Sequence, residues 1–174
     1  GDYDKMGVAT FVKKDIKVGE HGEIFVYNSS QIGVYDSDPN TLWRNMQYLQ
    51  CYQGSKEFLI SNLHGLFDFA TKSHKDDTPD RLEQSHRVKA LLDKYNCPKI
   101  LCGDFNLWPG TKSLKILEDG MRNLIKENNV QSTRSEFFDF PNKFADYMIV
   151  SPDINVKSFK VLDAKVSDHL PLCL

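Results

Sequence analysis

The sequence predicts a mixed α/β sandwich, a sheet with helices on its flanks, in one domain. Three observations lead there. Short β-prone runs recur along the chain, and one longer segment among them has the apolar period of a helix. Ile100 to Cys102 is continuously apolar, the pattern of a strand buried on both faces, and it stops at Gly103. A chain of 174 residues with 40% hydrophobic and 11% aromatic content is long enough to bury one core.

Taken in order, Gly7 to Lys13 reads as a β-prone strand, and Glu23 to Tyr27 as a second after a Gly19–Gly22 turn. Gln47 to Cys51 and Glu57 to Asn62 read as an antiparallel hairpin closed by Gln53-Gly54-Ser55-Lys56. From Leu66 to Asp77 the apolar period is lost, as in an irregular loop. The spacing then predicts a helix from Asp80 to Tyr95. Thr78 or Asp77 caps it, Pro79 suits its first turn, and Val88, Leu91, Leu92 and Tyr95 share one face. Glu83 and Arg87 pair on the outer side, and His86 belongs to the surface. After the central strand, Thr111 caps a helix through Leu114, Ile116 and Leu117, and Met121 to Glu127 reads as a second helical piece. Phe144 to Ser151, Val156 to Leu162 and Leu170 to Leu174 read as strands.

Charge and cysteine usage narrow the classes of function. A net charge of −2 gives no global attraction to nucleic acid, so a polyanion would need a local patch or a bound metal. Cys51, Cys97, Cys102 and Cys173 are far apart with no C-x-x-C pair, which suggests free buried thiols in a reducing compartment. No run of 18 apolar residues occurs and Gly-Asp-Tyr-Asp-Lys is not a signal peptide, so a cytoplasmic location is expected. The chain does not begin with Met, which suggests a fragment.

The chemistry-bearing residues sit at strand ends. Gly103-Asp104-Phe105-Asn106 follows the central strand, and on an extended chain Asp104 and Asn106 point one way while Phe105 turns back. A carboxylate that orients water beside a neutral donor for a phosphoryl oxygen is what hydrolysis of a phosphate ester needs. The plain alternative is a turn, because Gly, Asp and Asn are ordinary turn formers. Asn62-Leu63-His64-Gly65 places Asn62 and His64 on one side of another strand end. Asp146 opens the apolar run Tyr147 to Val150, where an acid must be exposed, paired or functional. Ser167-Asp168-His169-Leu170-Pro171 sets an acid beside a base. Ser167, Asp168 and His169 do not form a nucleophilic triad, because adjacent side chains diverge. For substrate contacts the sequence offers Arg134, with Phe137 and Phe138 nearby, and Trp108, without a dense basic and aromatic stripe.

In this order, the four motifs resemble the endonuclease/exonuclease/phosphatase superfamily, metal-dependent phosphoesterases of the deoxyribonuclease I type. The resemblance covers most of the chain from residue 58 onward. It implies a four-layered α/β/β/α sandwich whose strand ends form the site at one rim. It implies His169 as general base with Asp146 orienting it, Asp104 positioning the nucleophile, and Asn106 and His64 holding phosphoryl oxygens. Asp168 is implied as a metal ligand or its neighbour, with Asp104 and Asn106 as further candidates, and Asn62 and Ser167 as supporting residues. Carboxylate-rich, thiolate-free motifs suit magnesium, or manganese, over zinc.

One departure from the family pattern stands out. Members usually carry an N-terminal Asn strand and, some thirty residues later, a Glu that is the principal metal ligand. Asp2, Asp4 and Glu20 do not match that context, so the chain reads as N-terminally truncated. Glu20 or Asp36 is left to complete the metal site, and an exposed sheet edge offers a route to dimerisation. The substrate stays open among nucleic acid, nucleotide, inositol phosphate and phospholipid head group. Two other readings remain: a non-catalytic phosphate-binding or interaction domain, and a binuclear metallophosphatase, for which Leu107 stands where an Asp is expected. If the leading reading holds, His64, Asp104, Asn106, Asp146, Asp168 and His169 converge at one rim.

Overall fold

A computed structural model describes residues 7–27, 43–68, 75–141 and 143–174. Asp2, Asp4 and Asp36 lie outside them. The register of the sheet is set by a hairpin. Strands β2 (Arg44–Gln53) and β3 (Lys56–His64) pair antiparallel around Gly54, whose φ of +61° a glycine adopts at no steric cost. Strand β1 (Lys17–Tyr27) adds to the outer side of β2. On the other side of β3, β4 (Lys99–Asp104) runs parallel to it, and β6 (Asp146–Val150) returns antiparallel to β4. The two-residue β5 (Arg122–Asn123) completes a six-stranded sheet of order β1-β2-β3-β4-β6-β5. Strands β7 (Lys160–Val161) and β8 (Leu172–Cys173) form a separate pair. The arrangement is the mixed α/β fold expected.

Helices α1 (Pro79–Leu92) and α2 (Lys112–Glu118) cover one face of the sheet. Thr78 caps α1 by accepting from Arg81 N, and Val88, Leu91 and Leu92 face Leu59, Leu63 and Leu101 in the main core. Asp77 does not cap α1. It accepts instead from the N–H groups of Lys112 and Ser113 and from Ser113 Oγ, and so holds the start of α2 together with its cap, Thr111. Leu91 is 6% exposed. Leu91→Ala is expected to cost about 2–5 kcal/mol in chemical denaturation. His86 is exposed, so His86→Ala should change neither stability nor activity. Loss of activity with unchanged stability in that variant would show that the histidines have been divided wrongly.

The structure corrects several element boundaries. Gly7 to Lys13 forms no strand; it crosses the outer face of the hairpin, where Thr10 Oγ1 donates to Gln47 and Ala9 O accepts from Asn62 Nδ2. Gly19 to Gly22 is not a turn but part of β1, with a register shift between Val18 and His21. Tyr52 and Tyr48 explain the glycines: a Cβ would lie 2.7 Å from the Tyr52 ring at Gly19 and 2.9 Å from Tyr48 Oη at Gly22. The Met121 to Glu127 piece divides into β5 and the single turn α3 (Leu124–Glu127), capped by Asn123. The expected strands Val156 to Leu162 and Leu170 to Leu174 shrink to β7 and β8. Leu101 is fully buried, but Ile100 and Cys102 are only half-buried on the opposite face, against Leu124, Met148 and Val150. The four cysteines are free, but Cys51 alone is buried; Cys97 and Cys102 are half-buried and Cys173 is exposed. No helix among the described residues is long and apolar enough to cross a membrane.

Candidate active site

Three strands end in one row. The parallel register pairs His64 with Asp104, and the antiparallel register pairs Asp104 with Asp146. Along β4 the helix-facing side belongs to Leu101 and Phe105, so Asp104 emerges on the other face. Two glycines allow this crowding. Gly103 has φ +124°, and a Cβ there would stand 2.1 Å from Leu63 O; at Gly65 it would stand 2.3 Å from Phe105 O. Gly65 N donates to Asp104 O at 2.7 Å, and Phe105 N donates to Ala145 O at 2.8 Å. The loops after β3 and β4 and the segment before β6 are therefore laced together by backbone bonds. Phe105 anchors them from below, fully buried, with its ring centre 5.2 Å from that of Tyr147.

His169 arrives from the loop before β8 and completes the row. Its Nδ1 lies 2.9 Å from both Asp146 oxygens, and Arg134 Nη1 donates to its Nε2 at 2.5 Å. Arginine cannot accept, so Nε2 carries the lone pair and Nδ1 the proton that it gives to Asp146. Burial works to lower the His169 pKa, but the hydrogen bond to Asp146 and the charges of Asp146 and Asp104 outweigh it, and the net shift is upward. Burial raises the Asp146 pKa, with the His169 hydrogen bond opposing. His64 behaves in the opposite way. Its burial, with Arg44 and His169 adding, holds its pKa below the ordinary value against the pull of Asp104 and Asp146. A neutral imidazole at His64 can donate a hydrogen bond at neutral pH.

The loop conformation fixes the hydrogen bonds that Asn106 makes. It has φ +52°, a left-handed conformation that Asn tolerates better than most residues, and its N–H donates to Asp104 Oδ1 at 2.9 Å. Nδ2 donates to Gly65 O at 3.1 Å, while Oδ1 is buried with no hydrogen-bond partner. The donor expected to meet a phosphoryl oxygen is thus engaged with backbone, and the open group is an acceptor. Among the described residues, Asp104, Asp146 and His169 each offer a ligand atom, all within 4.8 Å of one another. Two carboxylates beside a partnerless amide oxygen form a donor set that fits a hard divalent cation.

The remaining expected residues fall around this centre. Asp168 Oδ2 accepts from Arg134 Nη1 at 2.6 Å and lies 3.8 Å from His169 Nε2, on a side chain that is 46% exposed. Ser167 Oγ bonds only backbone, accepting from His169 N and donating to His169 O, which agrees with the absence of a triad. Asn62 pairs with Cys102, two register positions before the His64–Asp104 pair, and its Nδ2 donates to Ala9 O. Trp108 is half-buried in the turn before α2, where its N–H reaches Lys75 O and its carbonyl accepts from Thr111. Arg134 is almost wholly enclosed, with its guanidinium carbon 4.3 Å from the centre of the Phe138 ring.

Three neighbours have no counterpart in the sequence reading. Thr133 Oγ1 accepts from Ala145 N and Asp146 N and so fixes the start of β6. Lys75 is buried and donates to Phe144 O; burial lowers its pKa to about 8, Arg134 adding and Asp104 and Asp146 opposing. Arg44 is buried with its Nε on Gly65 O; burial lowers its pKa and the Asp104 charge opposes. An arginine opening the strand Arg44–Gln53 is a signal of the same kind as Asp146. Lys75 gave none, because it lies in the polar run Lys75-Asp76-Asp77.

A cavity of about 380 Å³ opens at the other end of the sheet, lined by Lys89, Asp93, Lys99 and Asp153 among others. It is remote from Asp104, because β4 enters there at Lys99 and the carboxylate cluster lies where that strand ends.

The family model described as Endonuclease/Exonuclease/phosphatase family matches residues 2–169. Comparison with curated proteins returns no match. Among solved structures, the fold is similar to that of a mannosyl-6-phosphatase from Bacteroides thetaiotaomicron, at TM-score 0.66 and 22% identity over 91% of this chain and 66% of that one. It is also similar to an endonuclease/exonuclease/phosphatase from Bacteroides vulgatus, at TM-score 0.72 and 18% identity over 92% and 65%. A third is the human Nocturnin catalytic domain with bound sulfate, at TM-score 0.60 and 20% identity over 93% and 59%. The chain thus spans about two thirds of the length of the first two. These likenesses establish a DNase I-like fold.

Proposed function

The chain belongs to the endonuclease/exonuclease/phosphatase family, and from that premise we propose that it hydrolyses phosphate esters with His169 as the general base. Members of the family are divalent-metal-dependent hydrolases of phosphoester bonds. The observation that carries the reading is the His169–Asp146 pair. The carboxylate accepts a hydrogen bond from Nδ1–H, fixes the tautomer and strengthens Nε2 as a base.

In the proposed reaction Nε2 takes a proton from water, the water oxygen bonds to phosphorus, and the ester P–O bond breaks; the leaving oxygen takes a proton from solvent to become the alcohol, and His169 returns its proton to solvent. Arg134 now donates to Nε2, so the guanidinium must leave that lone pair before the base can act. A substrate phosphoryl group provides the reason to move, because it offers arginine a charge-assisted, two-pronged bond in place of the imidazole. Asp168 stays on Arg134 and positions it. Neutral His64 donates to a phosphoryl oxygen from the neighbouring strand end. Asp104, with Asn106 Oδ1 and Asp146, would hold the divalent cation, which would neutralise the anionic ester and acidify bound water. Oxygen donors favour magnesium, with manganese as a substitute.

Leu107 is fully buried in the core, which argues against a binuclear site that needs a ligand there. The test is turnover of bis(p-nitrophenyl) phosphate and p-nitrophenyl phosphate in magnesium. Release of nitrophenolate is expected, falling to background with chelator and returning with added magnesium or manganese. Phosphate binding without any turnover would instead support a non-catalytic domain on the same scaffold.

A further inference from the structure

We propose that Phe137 and Phe140 form a stacking subsite beside His169 that selects small phosphate esters carrying one flat ring, of which a nucleoside phosphate is the type. The inference rests on the phosphoesterase reading and names its substrate class. It starts from an exposure that folding alone does not explain: Phe137 and Phe140 are 57% and 67% exposed, a few residues along the chain from Arg134.

The loop carrying them is anchored to the site. Ser135 N donates to Asp168 O and Ser135 Oγ to Ser167 O, so the turn is tied to the segment that presents His169. Phe137 N donates to Ser135 Oγ and Phe138 N to Ser135 O, which fixes where the aromatic run departs. From there a ladder leads outward. The guanidinium that touches His169 lies 4.3 Å from the Phe138 ring centre, and the Phe138 ring lies 5.4 Å from that of Phe140 at an interplanar angle of 52°. Phe140 is therefore no farther from Arg134 than those two steps end to end. A phosphate held by Arg134 and joined through a pentose to a base can carry that base to the Phe140 ring within this reach.

Charge limits the size of the ester. Glu136 and Asp139 flank the phenylalanines in sequence, both are exposed, and Glu136 pairs with Lys165 at 3.0 Å. Additional phosphates of a polynucleotide lying along this loop would meet carboxylates, so one phosphate with one base fits better than a strand.

The experiment compares adenosine 5′-monophosphate with glycerol phosphate, and adenylyl-adenosine with glycerophosphocholine, in the same magnesium buffer. It is run on the wild type, Phe140→Ala and Phe137→Ala. Both rings are largely exposed, so the variants should keep the wild-type melting temperature. The wild type is expected to prefer the ring-bearing member of each pair. Phe140→Ala should lose about 10-fold in kcat/KM toward the ring-bearing esters, mostly through KM, with the ring-free esters unchanged. Calorimetric binding of adenosine 5′-monophosphate should weaken in parallel. Equal loss on both classes, no loss on either, or self-association of the wild type that Phe140→Ala abolishes would overturn the subsite while leaving the phosphoesterase reading in place. No hydrolysis of any ester by the wild type would instead defeat that underlying reading. An oligoadenylate turned over better than the dinucleotide would refute the size limit.

Discussion

His169→Ala is expected to lower kcat/KM by about 10²–10⁴-fold, the range that a positioned general base supplies. The pH profile makes the assignment sharper than the loss alone. His169 accepts a proton only when neutral, so activity should rise with pH through its pKa. That value is lifted above the ordinary 6.5, because burial is outweighed by Asp146 and Asp104. Asp146→Asn removes the chief raising partner. Its acid limb should therefore move to lower pH while the plateau rate falls. The same shift contributes stability that is fully present below 6.5 and is lost as pH rises through the folded-state value. A melting curve series should show Asp146→Asn losing that dependence. An Asp146→Asn profile with its acid limb unmoved would remove His169 from the role.

The parts of this site that the sequence disclosed are those where a polar residue breaks an apolar run. Asp104 ends one buried strand and Asp146 opens another, and the register that buries Leu101, Tyr147 and Ile149 sets them side by side. Asn62 and His64 were equally visible, and alternation alone puts them on one face. What stayed hidden was set by tertiary contact. Gly19 and Gly22 read locally as a turn, and only the Tyr48 and Tyr52 rings from β2 show why a strand needs them. The Gly7 to Lys13 run has strand composition but bonds side chains of the hairpin rather than a backbone ladder. Lys75 lies far in sequence from the Phe144 carbonyl to which it donates. Asp168 stood out beside His169 in the sequence, yet Arg134, named there only for substrate contact, was not legible as the group that bonds both.

Asp104→Asn should reduce activity by about 10²-fold or more, because it removes the carboxylate at the centre of the row while keeping its shape. The amide can still accept from Asn106 N, so the left-handed turn at Asn106 should survive. The charge cannot be replaced. Asp104 is the anion that opposes the burial-driven pKa drop of Arg44 and His64, and it shares with Asp146 the cluster that would hold the cation. Two readouts follow from that position. Calorimetric titration should show weaker magnesium binding in the variant, and the magnesium concentration for half-maximal activity should rise. The His64 pKa, followed by NMR, should fall further, because its largest opposing charge is gone while burial and Arg44 remain. If Asp104→Asn left magnesium binding intact and lost activity only through kcat, the cation would be held elsewhere. Glu20, carried over from the sequence as a candidate, would not be that ligand, because its N–H donates to Gln50, which pairs with Leu59 and so stands level with Lys99, at the end of the sheet away from Asp104.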